Sequence, residues 1–315
     1  MSDSVRKITR WQLRARTLEV GRRTLVMGIV NITPDSFSDG GLCYDPEAAV
    51  ERCLQCLDEG ADLLDLGAES TRPDSRAGSL AGARTGGSND APAVSAEEEQ
   101  ARLLPVLEGI LKAWPDAVIS VDTYKAATAR AALAAGAEIV NDVSGFDWDA
   151  EMASVCSAAR CGVVLMHTRG RPEEWRAQAR LEPDALLATV RAGLEASLEK
   201  AAMAGIAGDA VVLDPGYGFG KAFEENYALL ARQAELLTLG RPLLAGASRK
   251  SFLGRSLAGL YGGVDAPVGA RETANVAALV AAILHGASIV RVHAVRPAVE
   301  AARIADAVLE GGTGI

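Results

Sequence analysis

Short apolar runs alternate with longer amphipathic segments along most of the chain, and this alternation constrains the fold more than any other feature. The runs favour strands buried on both faces, because parallel strands covered by helices read as continuous apolar stretches. Eight of them are present, at 25–30, 62–66, 117–121, 138–140, 162–166, 210–213, 242–245 and 288–292.

The segments between these runs carry helix signals. Asp45 and Pro46 suit the cap and first position of one helix, and Ser95 with Glu98 forms a capping-box pattern before another. Further helical patterns cover 125–135, 150–160, 183–204, 224–237, 271–285 and 297–309. Eight strand–helix units predict a closed (β/α)8 barrel in one domain, 25–315, rather than an open doubly wound sheet.

Two segments fall outside this rhythm. Residues 1–24 contain a loosely alternating stretch with Gly21, which predicts a short hairpin packed on the barrel. Residues 74–95 contain four glycines and almost no large apolar residue. We expect them to form an extended, mobile loop after the second strand, either as a neutral surface insertion or as a functional lid.

Composition excludes several classes of protein. The 315 residues carry a net charge of −9 and no Lys/Arg-rich run, which argues against nucleic-acid binding. No apolar stretch is long enough to cross a membrane and no signal peptide is evident, so a cytoplasmic location is expected. Cys53 lies on the apolar face of one predicted helix with Cys56 beside it, which favours core packing over metal ligation.

Polar side chains follow the C-terminal end of every apolar run. They are Asn31, Asp65 with Thr71 and Arg72, Asp122, Asn141 with Asp142, His167, Asp214, Ser248 with Arg249 and Lys250, and Arg291 with His293. Any one of them could cap a helix, but the whole set exceeds what capping needs. Because strand ends converge at one mouth of such a barrel, the sequence predicts an active site there.

The chemistry of this mouth can be read in part. Asp122 and Asp214 each follow an apolar strand, where a carboxylate needs a donor-rich partner such as a heterocycle with several N–H groups. Arg291 and His293 share one strand face, which suits an anion such as phosphate. Alternatively, Arg291 pairs with one of the mouth carboxylates. The glycine-rich segment 214–221 is neither a P-loop nor a dinucleotide motif, and we expect it to carry Phe219 over the site.

The motifs, in their order, resemble those of the dihydropteroate synthases over residues 25–299. They are 31–41 (NITPDSFSDGG), 65–73 (DLGAESTRP), 120–125 (SVDTYK), 141–145 (NDVSG), 166–167 (MH), 214–221 (DPGYGFGK), 248–254 (SRKSFLG) and 291–293 (RVH). The resemblance implies that 6-hydroxymethyl-7,8-dihydropterin diphosphate condenses with 4-aminobenzoate, releasing diphosphate, with Mg²⁺ assisting. It also implies that the protein is a homodimer and that sulfonamides inhibit it.

The resemblance assigns residues to subsites. The pterin pocket matches Asp122, Asn141, Met166, Asp214 and Lys250. Asn31 matches the metal-side ligand, and the diphosphate site matches Thr71, Arg72, Arg291 and His293. The aminobenzoate pocket matches Phe37, Pro73, Phe219, Lys250 and Ser251, and the catalytic set is Asp35, Arg72, Lys250, Arg291 and His293. We expect Asp35 to stabilise the cation that develops during the reaction.

The sequence departs from the family pattern at Asp74, where glycine is common, and at Ala294, where aspartate is common. The second departure leaves the orientation of His293 undefined. The length leads us to expect no fused pyrophosphokinase. Two other functions stay open, a corrinoid-type pterin-binding methyltransferase and a non-catalytic pterin-binding protein.

Overall fold

A computed structural model of the protein describes residues 6–32, 45–69 and 94–311. The loop from Thr33 and most of the predicted insertion at 74–95 lie outside these residues. Within the described residues, no helix is long and apolar enough to cross a membrane.

Eight parallel strands close into a barrel, which confirms the predicted fold class. A two-stranded hairpin precedes them, formed by β1 (Thr9–Gln12) and β2 (Thr17–Val20). The barrel strands are β3 (Leu25–Asn31), β4 (Leu63–Gly67), β5 (Ile119–Asp122), β6 (Ile139–Asp142), β7 (Gly162–Met166), β8 (Val211–Asp214), β9 (Leu243–Ala245) and β10 (Ala287–Val292). Their order follows the chain, and β10 closes the barrel by pairing with β3 and β9.

Helices cover the outside of the barrel. They are α1 (Pro46–Asp58), α2 (Ala96–Ala113), α3 (Ala126–Ala134), α4 (Met152–Ala159), α5 (Pro183–Met203), α6 (Phe223–Arg232), α7 (Ser251–Ser256), α8 (Glu272–Leu284) and α9 (Val295–Leu309). Short 3-10 helices cover Pro172–Ala177, Gly208–Ala210, Gln233–Leu239, Ala258–Leu260 and Val268–Ala270.

The predicted caps of the first two helices are present. Asp45 accepts hydrogen bonds from the backbone N–H groups of Glu47 and Ala48, at 2.9 and 3.3 Å. Ser95 accepts from the N–H of Glu98 at 3.2 Å, while the Glu98 carboxylate pairs with Arg102 instead of completing a capping box.

The inner and outer faces of the barrel follow the two-residue period of its strands. Side chains that alternate with the inward ones pack under the helices, and Cys53 and Cys56 lie fully buried in that outer layer. Inward apolar side chains from the starts of the strands fill the N-terminal half of the barrel, among them Met27, Leu63 and Val212. The C-terminal half is therefore left to polar side chains.

The N-terminal hairpin covers the N-terminal end of the barrel. Trp11, Leu13 and Val20 pack in the same cluster as the inward residues of the strand starts. Trp11 has no exposed surface, and its indole N–H donates to the carbonyl oxygen of Ala210 at 3.0 Å. Within the described residues, the hairpin covers this end of the barrel, so we expect a ligand to reach the interior from the opposite end.

Candidate active site at the mouth of the barrel

Inward-facing polar side chains meet at the C-terminal end of the barrel, as the sequence predicts. Parallel strands end at the same edge, and the residues in step with the inward apolar positions are the polar ones. The structure brings together Asn31 on β3, Asp65 on β4, Asp122 on β5, Asn141 on β6, Asp214 on β8, and Arg291 and His293 at the end of β10.

Arg291 crosses the barrel interior and joins two carboxylates. Its Nε donates to Asp65 Oδ2 and its Nη2 donates to Asp122 Oδ2, both at 2.5 Å. The sequence left open whether Arg291 pairs with an anion or with a mouth carboxylate, and in this structure it pairs with the carboxylates. Val290 and Val292 lie on the helix-facing side of β10, as predicted.

Asp65 is the centre of a buried hydrogen-bond network. Its side chain has no exposed surface. In addition to Arg291, its Oδ1 accepts from the Ser120 hydroxyl at 2.6 Å, and its Oδ2 accepts from the Asn141 amide nitrogen at 3.1 Å. A carboxylate that accepts several hydrogen bonds and an ion pair is well compensated for its burial.

Burial raises the pKa of two of the inward carboxyls at the mouth, those of Asp122 and Asp214. Burial brings the pKa of Asp122 to about 7, although the charge of Arg291 opposes the rise and the charge of Asp65 adds to it. Burial also raises the pKa of Asp214, against the effect of the Gly216 N–H, which donates to Asp214 Oδ1 at 2.7 Å. Asp122 therefore changes charge close to neutral pH.

The glycine-rich segment after β8 folds around a buried lysine. The Lys221 ammonium donates to the carbonyl oxygens of Gly216, His167 and Phe219, at 2.7, 3.2 and 3.3 Å. Gly216 has a φ of +73°, and a Cβ there would lie 2.0 Å from the His167 carbonyl oxygen. A side chain at that position is excluded by this contact as well as by its backbone angle.

This loop places an aromatic ring beside a cation. The Lys250 ammonium lies 3.8 Å from the centre of the Phe219 ring, a cation–π distance. On another side, Trp175 meets Phe219 edge to face, with ring centres 5.2 Å apart. Phe219 and Lys250 are thus neighbours at the mouth, as the predicted aminobenzoate pocket requires.

His293 is held by the hydroxyl of Ser248, which lies in the loop after the neighbouring strand β9. Its Nδ1 lies 3.0 Å from the Ser248 Oγ, and its backbone N–H donates to the same oxygen at 3.3 Å. From the other side, Arg52 Nη2 donates to the His293 carbonyl oxygen at 2.8 Å. The orientation that Ala294 leaves undefined in the sequence is therefore set by Ser248 and Arg52.

A polar cleft of about 590 Å³ lies beside Asn31 and His293. Three arginines line it, Arg52, Arg249 and Arg296, together with the carboxylate of Glu59. Arg249 has a φ of +58°, and its backbone N–H donates to Asn275 Oδ1 at 2.8 Å. Because of this left-handed backbone conformation at Arg249, the side chain of Arg249 lines the cleft while that of the next residue, Lys250, lies over Phe219.

Asp142 and His167, which the sequence places at the mouth, do not face it. Asp142 lies on the outer face of β6, where its carboxylate accepts from the N–H groups of Ser144 and Phe146 at 2.8 and 2.9 Å. The His167 ring is buried against Gly193 of α5. Each directly follows an inward residue, Asn141 or Met166, so the period of the strand turns it outward.

The remaining predicted residues are divided between two regions. Met166 faces inward and is buried against Gly216, and Ser251 is the exposed first residue of α7. Asp35, Phe37, Thr71, Arg72 and Pro73 lie outside the described residues. Glu69, the last described residue before Thr71, pairs with Lys125 at the start of α3.

The structure adds residues for which the sequence predicts no role. Ser120 contacts Asp65, Trp175 contacts Phe219, and Arg52 contacts His293. Only Ser120 had a readable signal, because it lies two residues before Asp122 and so shares its strand face. Arg52 and Trp175 belong to a helix and a loop whose approach to the mouth depends on the whole fold.

No group of three acidic, histidine or cysteine side chains that could hold a metal ion occurs within residues 6–32, 45–69 and 94–311. The side-chain oxygen of Asn31 is the donor that the predicted metal site offers from this part of the chain. A single amide oxygen suits Mg²⁺ only where substrate phosphate oxygens and water complete the coordination.

The chain is similar to known proteins over most of its length. The sequence profile described as "Pterin binding enzyme" matches residues 27–293. The dihydropteroate synthase of Mycobacterium leprae is 43% identical over 290 residues, which cover 92% of this chain and 95% of that protein.

Solved structures of the same kind superpose on the barrel. The Xanthomonas albilineans dihydropteroate synthase with 4-aminobenzoic acid has a TM-score of 0.80 and 38% identity, covering 96% of this chain and 98% of that one. The Yersinia pestis dihydropteroate synthase with a sulfonamide drug has a TM-score of 0.82 and 35% identity, covering 96% and 100%.

Proposed function

This chain belongs to the pterin binding enzymes and, within them, to the dihydropteroate synthases, and from that premise we propose how its mouth carries out the reaction. The enzyme condenses 6-hydroxymethyl-7,8-dihydropterin diphosphate with 4-aminobenzoate to give 7,8-dihydropteroate and diphosphate. The observation that carries the assignment of the site is the set of acceptors around the deep pocket, closed on one side by Lys250 over Phe219.

The deep pocket suits the pterin ring. Oxygens of Asp122, Asn141 and Asp214 face one space and can accept from the amino and ring N–H groups of a pterin, while the Lys250 ammonium can donate to a ring acceptor. Met166 supplies an apolar wall. These are the residues that the family resemblance assigns to the pterin. All but Lys250, which reaches over Phe219 from the loop before α7, are inward-facing residues of the barrel strands.

The diphosphate group belongs at the rim, next to His293 and Asn31. The cleft with Arg52, Arg249 and Arg296 adjoins that position, so the leaving group meets positive charge outside the pocket. Arg291 lies between the two regions. Its Nε and Nη2 are held by Asp65 and Asp122. The remaining nitrogen, Nη1, can donate to the anion.

The chemical step is a substitution at the exocyclic carbon of the pterin. The carbon–oxygen bond to diphosphate breaks and the leaving group keeps its electron pair, while the ring delocalises the positive charge. The lone pair of the arylamine nitrogen then forms the new carbon–nitrogen bond, and that nitrogen loses a proton. His293 and the rim arginines stabilise the departing anion, and Phe219 gives the aromatic amine an apolar wall.

The Mg²⁺ requirement is part of the proposal. Asn31 would be its ligand from the protein, and the diphosphate would supply most of the coordination. When bound there, the ion would neutralise charge on the leaving group. Proposed roles for Asp35, Arg72 and the other loop residues stay as the family resemblance assigns them.

A steady-state assay with the pterin diphosphate, Mg²⁺ and 4-aminobenzoate tests the function. We expect equal amounts of dihydropteroate and diphosphate. Methyl transfer from methyltetrahydrofolate without condensation would favour the methyltransferase alternative, and tight pterin binding without diphosphate release would favour a non-catalytic binder. Inhibition by a sulfonamide, competitive with 4-aminobenzoate, is expected in the same assay.

A homodimer through the late helices, in the cytoplasm, completes the proposal. Ile304 and Val308 lie one turn apart on α9 and are 69% and 62% exposed, which supports a partner surface there. Sedimentation velocity should show a dimer, and Ile304→Glu should shift it toward monomer. A wild-type monomer at micromolar concentration would contradict this part.

A further inference from the structure

We infer that Asp65 fixes the hydrogen-bonding polarity of the pterin pocket, because it holds the Asn141 amide in a single orientation. Asp65 is a positioning residue in this role, and the inference rests on the proposed function of the pocket. Asp65 would thereby help to select a pterin over heterocycles of the same shape.

The orientation of the Asn141 amide follows from the chemistry of its partner. Asp65 is fully buried and is the ion-pair partner of Arg291, so its two oxygens act as acceptors. An asparagine amide has a donor end and an acceptor end. Only the donor end, Nδ2, can bond to Asp65, and the structure has this bond at 3.1 Å.

Asn141 Oδ1 is consequently left for the ligand. The reverse orientation would bring Oδ1 against a carboxylate oxygen, and two acceptors at hydrogen-bond distance repel each other. Two further bonds keep Asp65 in place, from the Ser120 hydroxyl at 2.6 Å and from Arg291 Nε at 2.5 Å. The orientation of Asn141 is therefore set by Asp65, a residue to which the family resemblance assigns no ligand contact.

The result is a pocket wall made of acceptors. Asn141 lies next to Asp122 in the register of β5 and β6, so Asn141 Oδ1 and the Asp122 carboxylate are neighbours. On the opposite side, Asp214 Oδ1 accepts from the Gly216 N–H, which leaves Asp214 Oδ2 for the ligand. A ring edge with amino and N–H donors fits this wall, whereas a ring edge with a carbonyl oxygen does not.

Pterin and lumazine provide a matched pair of probes. Both are bicyclic rings of the same size, but pterin has an amino group where lumazine has a carbonyl oxygen. We expect the wild-type protein to bind 6-hydroxymethylpterin about 10- to 100-fold more tightly than 6-hydroxymethyllumazine, because an unpaired buried acceptor carries a cost of that size.

Asp65→Leu tests the role of Asp65 in this preference. The variant keeps roughly the volume of the side chain but removes the acceptor that faces Asn141 Nδ2, so Asn141 can turn its own donor toward the ligand. Asparagine would not serve, because Arg291 Nε donates to the same Asp65 oxygen as Asn141 and would keep an oxygen at that position. We expect the preference for pterin over lumazine, measured by calorimetry, to fall to within about threefold. A loss of packing alone would weaken both ligands by the same factor and leave their ratio unchanged.

Ser120→Ala is the control variant. It removes one donor to Asp65 but leaves the carboxylate facing Asn141, so the wild-type ratio should persist. An unchanged ratio in Asp65→Leu, with native circular dichroism, would overturn the inference. A wild-type protein that binds the pterin but has no synthase activity would overturn the proposed function alone, so the two failures can be told apart.

Should Asp65→Leu not fold, a neutron structure of the wild-type protein with 6-hydroxymethylpterin bound gives the answer. The deuterons of the Asn141 side chain should lie on the atom that faces Asp65, with the oxygen toward the ligand. Deuterons on the atom that faces the ligand would overturn the inference.

Discussion

At the scale of single residues, the protonation state of Asp122 decides how well the pocket binds a donor-rich ring. Burial raises the pKa of its carboxyl to about 7. A protonated carboxyl loses acceptor capacity, so the affinity for 6-hydroxymethylpterin should rise about tenfold between pH 6 and pH 8. Calorimetry across this range measures the effect.

The same shift has a consequence for stability. The folded-state pKa of Asp122 lies above that of an unfolded chain, so the folded state holds the proton more tightly. The stabilising contribution is complete below about pH 4 and is lost as the pH rises through 7. Burial also lowers the pKa of Lys221 to about 7, so a second group titrates in the same range.

Asp122→Asn is therefore the control for the pH dependence of pterin binding. If the affinity of this variant changes with pH as in the wild-type protein, the titration belongs to another group.

The second residue-scale prediction concerns Ser248. Ser248→Ala removes both contacts of the hydroxyl with His293, its Nδ1 and its backbone N–H. Because a displaced imidazole stabilises the leaving group poorly, we expect kcat to fall about tenfold with little change in the KM for 4-aminobenzoate. Ser248→Thr, which keeps the hydroxyl, should restore most of the rate. Equal activity of the alanine and threonine variants would show that the hydroxyl does not position His293.

Sequence reasoning reached most of the residues of the mouth, and its errors have one cause. The composition of each strand end revealed where polar groups gather, but the inward or outward direction depends on a register of one residue. Asn141 and Asp142 are consecutive polar residues, and only the first faces inward. From the sequence, an ion pair of Arg291 with a mouth carboxylate was one of two alternatives. Its partners, Asp65 and Asp122, lie on other strands, so they are defined only in the closed barrel.

At the scale of elements, the loop after β8 depends on the absence of one side chain. Gly216 and Gly240 have almost the same backbone angle, with φ of +73° and +72°. A Cβ at Gly216 would lie 2.0 Å from the His167 carbonyl oxygen, whereas at Gly240 nothing lies within 4 Å. The pair separates the effect of the backbone angle from that of the close contact.

Gly240→Ala should lower the free energy of unfolding by about 1–2 kcal/mol, the cost of a left-handed alanine. Gly216→Ala should cost several kcal/mol more, and should weaken 4-aminobenzoate binding because the loop that carries Phe219 must move. Urea denaturation and the KM for 4-aminobenzoate measure the two effects. Similar stabilities of the two variants would show that the loop adjusts freely around Gly216.

Element positions followed from the sequence to within about two residues for the strands, because apolar runs and caps are local signals. The short helix α7 was not predicted. Its sequence, Ser251–Ser256, has little amphipathic pattern of its own, and α6 gives way to a 3-10 helix at Gln233 where one continuous helix was expected. Such short elements are set by the packing of their neighbours rather than by propensity.

At the scale of the whole molecule, the two ends of the barrel have separate tasks. The hairpin seals one end with Trp11, which is fully buried, and the binding residues occupy the other. Trp11→Ala should lower the free energy of unfolding by about 3–5 kcal/mol but leave the KM of both substrates nearly unchanged. Trp114→Ala is the control, because Trp114 is 41% exposed and its loss should cost less than about 1 kcal/mol.

Chemical denaturation and steady-state kinetics on the same preparations check this separation. A large rise in the KM for the pterin diphosphate in Trp11→Ala would show that the two ends are coupled. The sequence contains signals for the hairpin and for the barrel. It contains no signal for which end of the barrel the hairpin covers. The position of the hairpin depends on contacts, such as that of Trp11 with Ala210, between residues far apart in the chain.

The distribution of charge along the barrel axis gives the site a direction. Asp65, Asp122 and Asp214 make the floor acidic even with Arg291 among them, while the cleft beside His293 is rich in arginine. The carboxylates repel an anionic tail that enters first, whereas an uncharged ring meets no such repulsion. The charge distribution therefore favours one orientation of such a substrate, with its ring in the barrel and its tail at the arginine-rich rim.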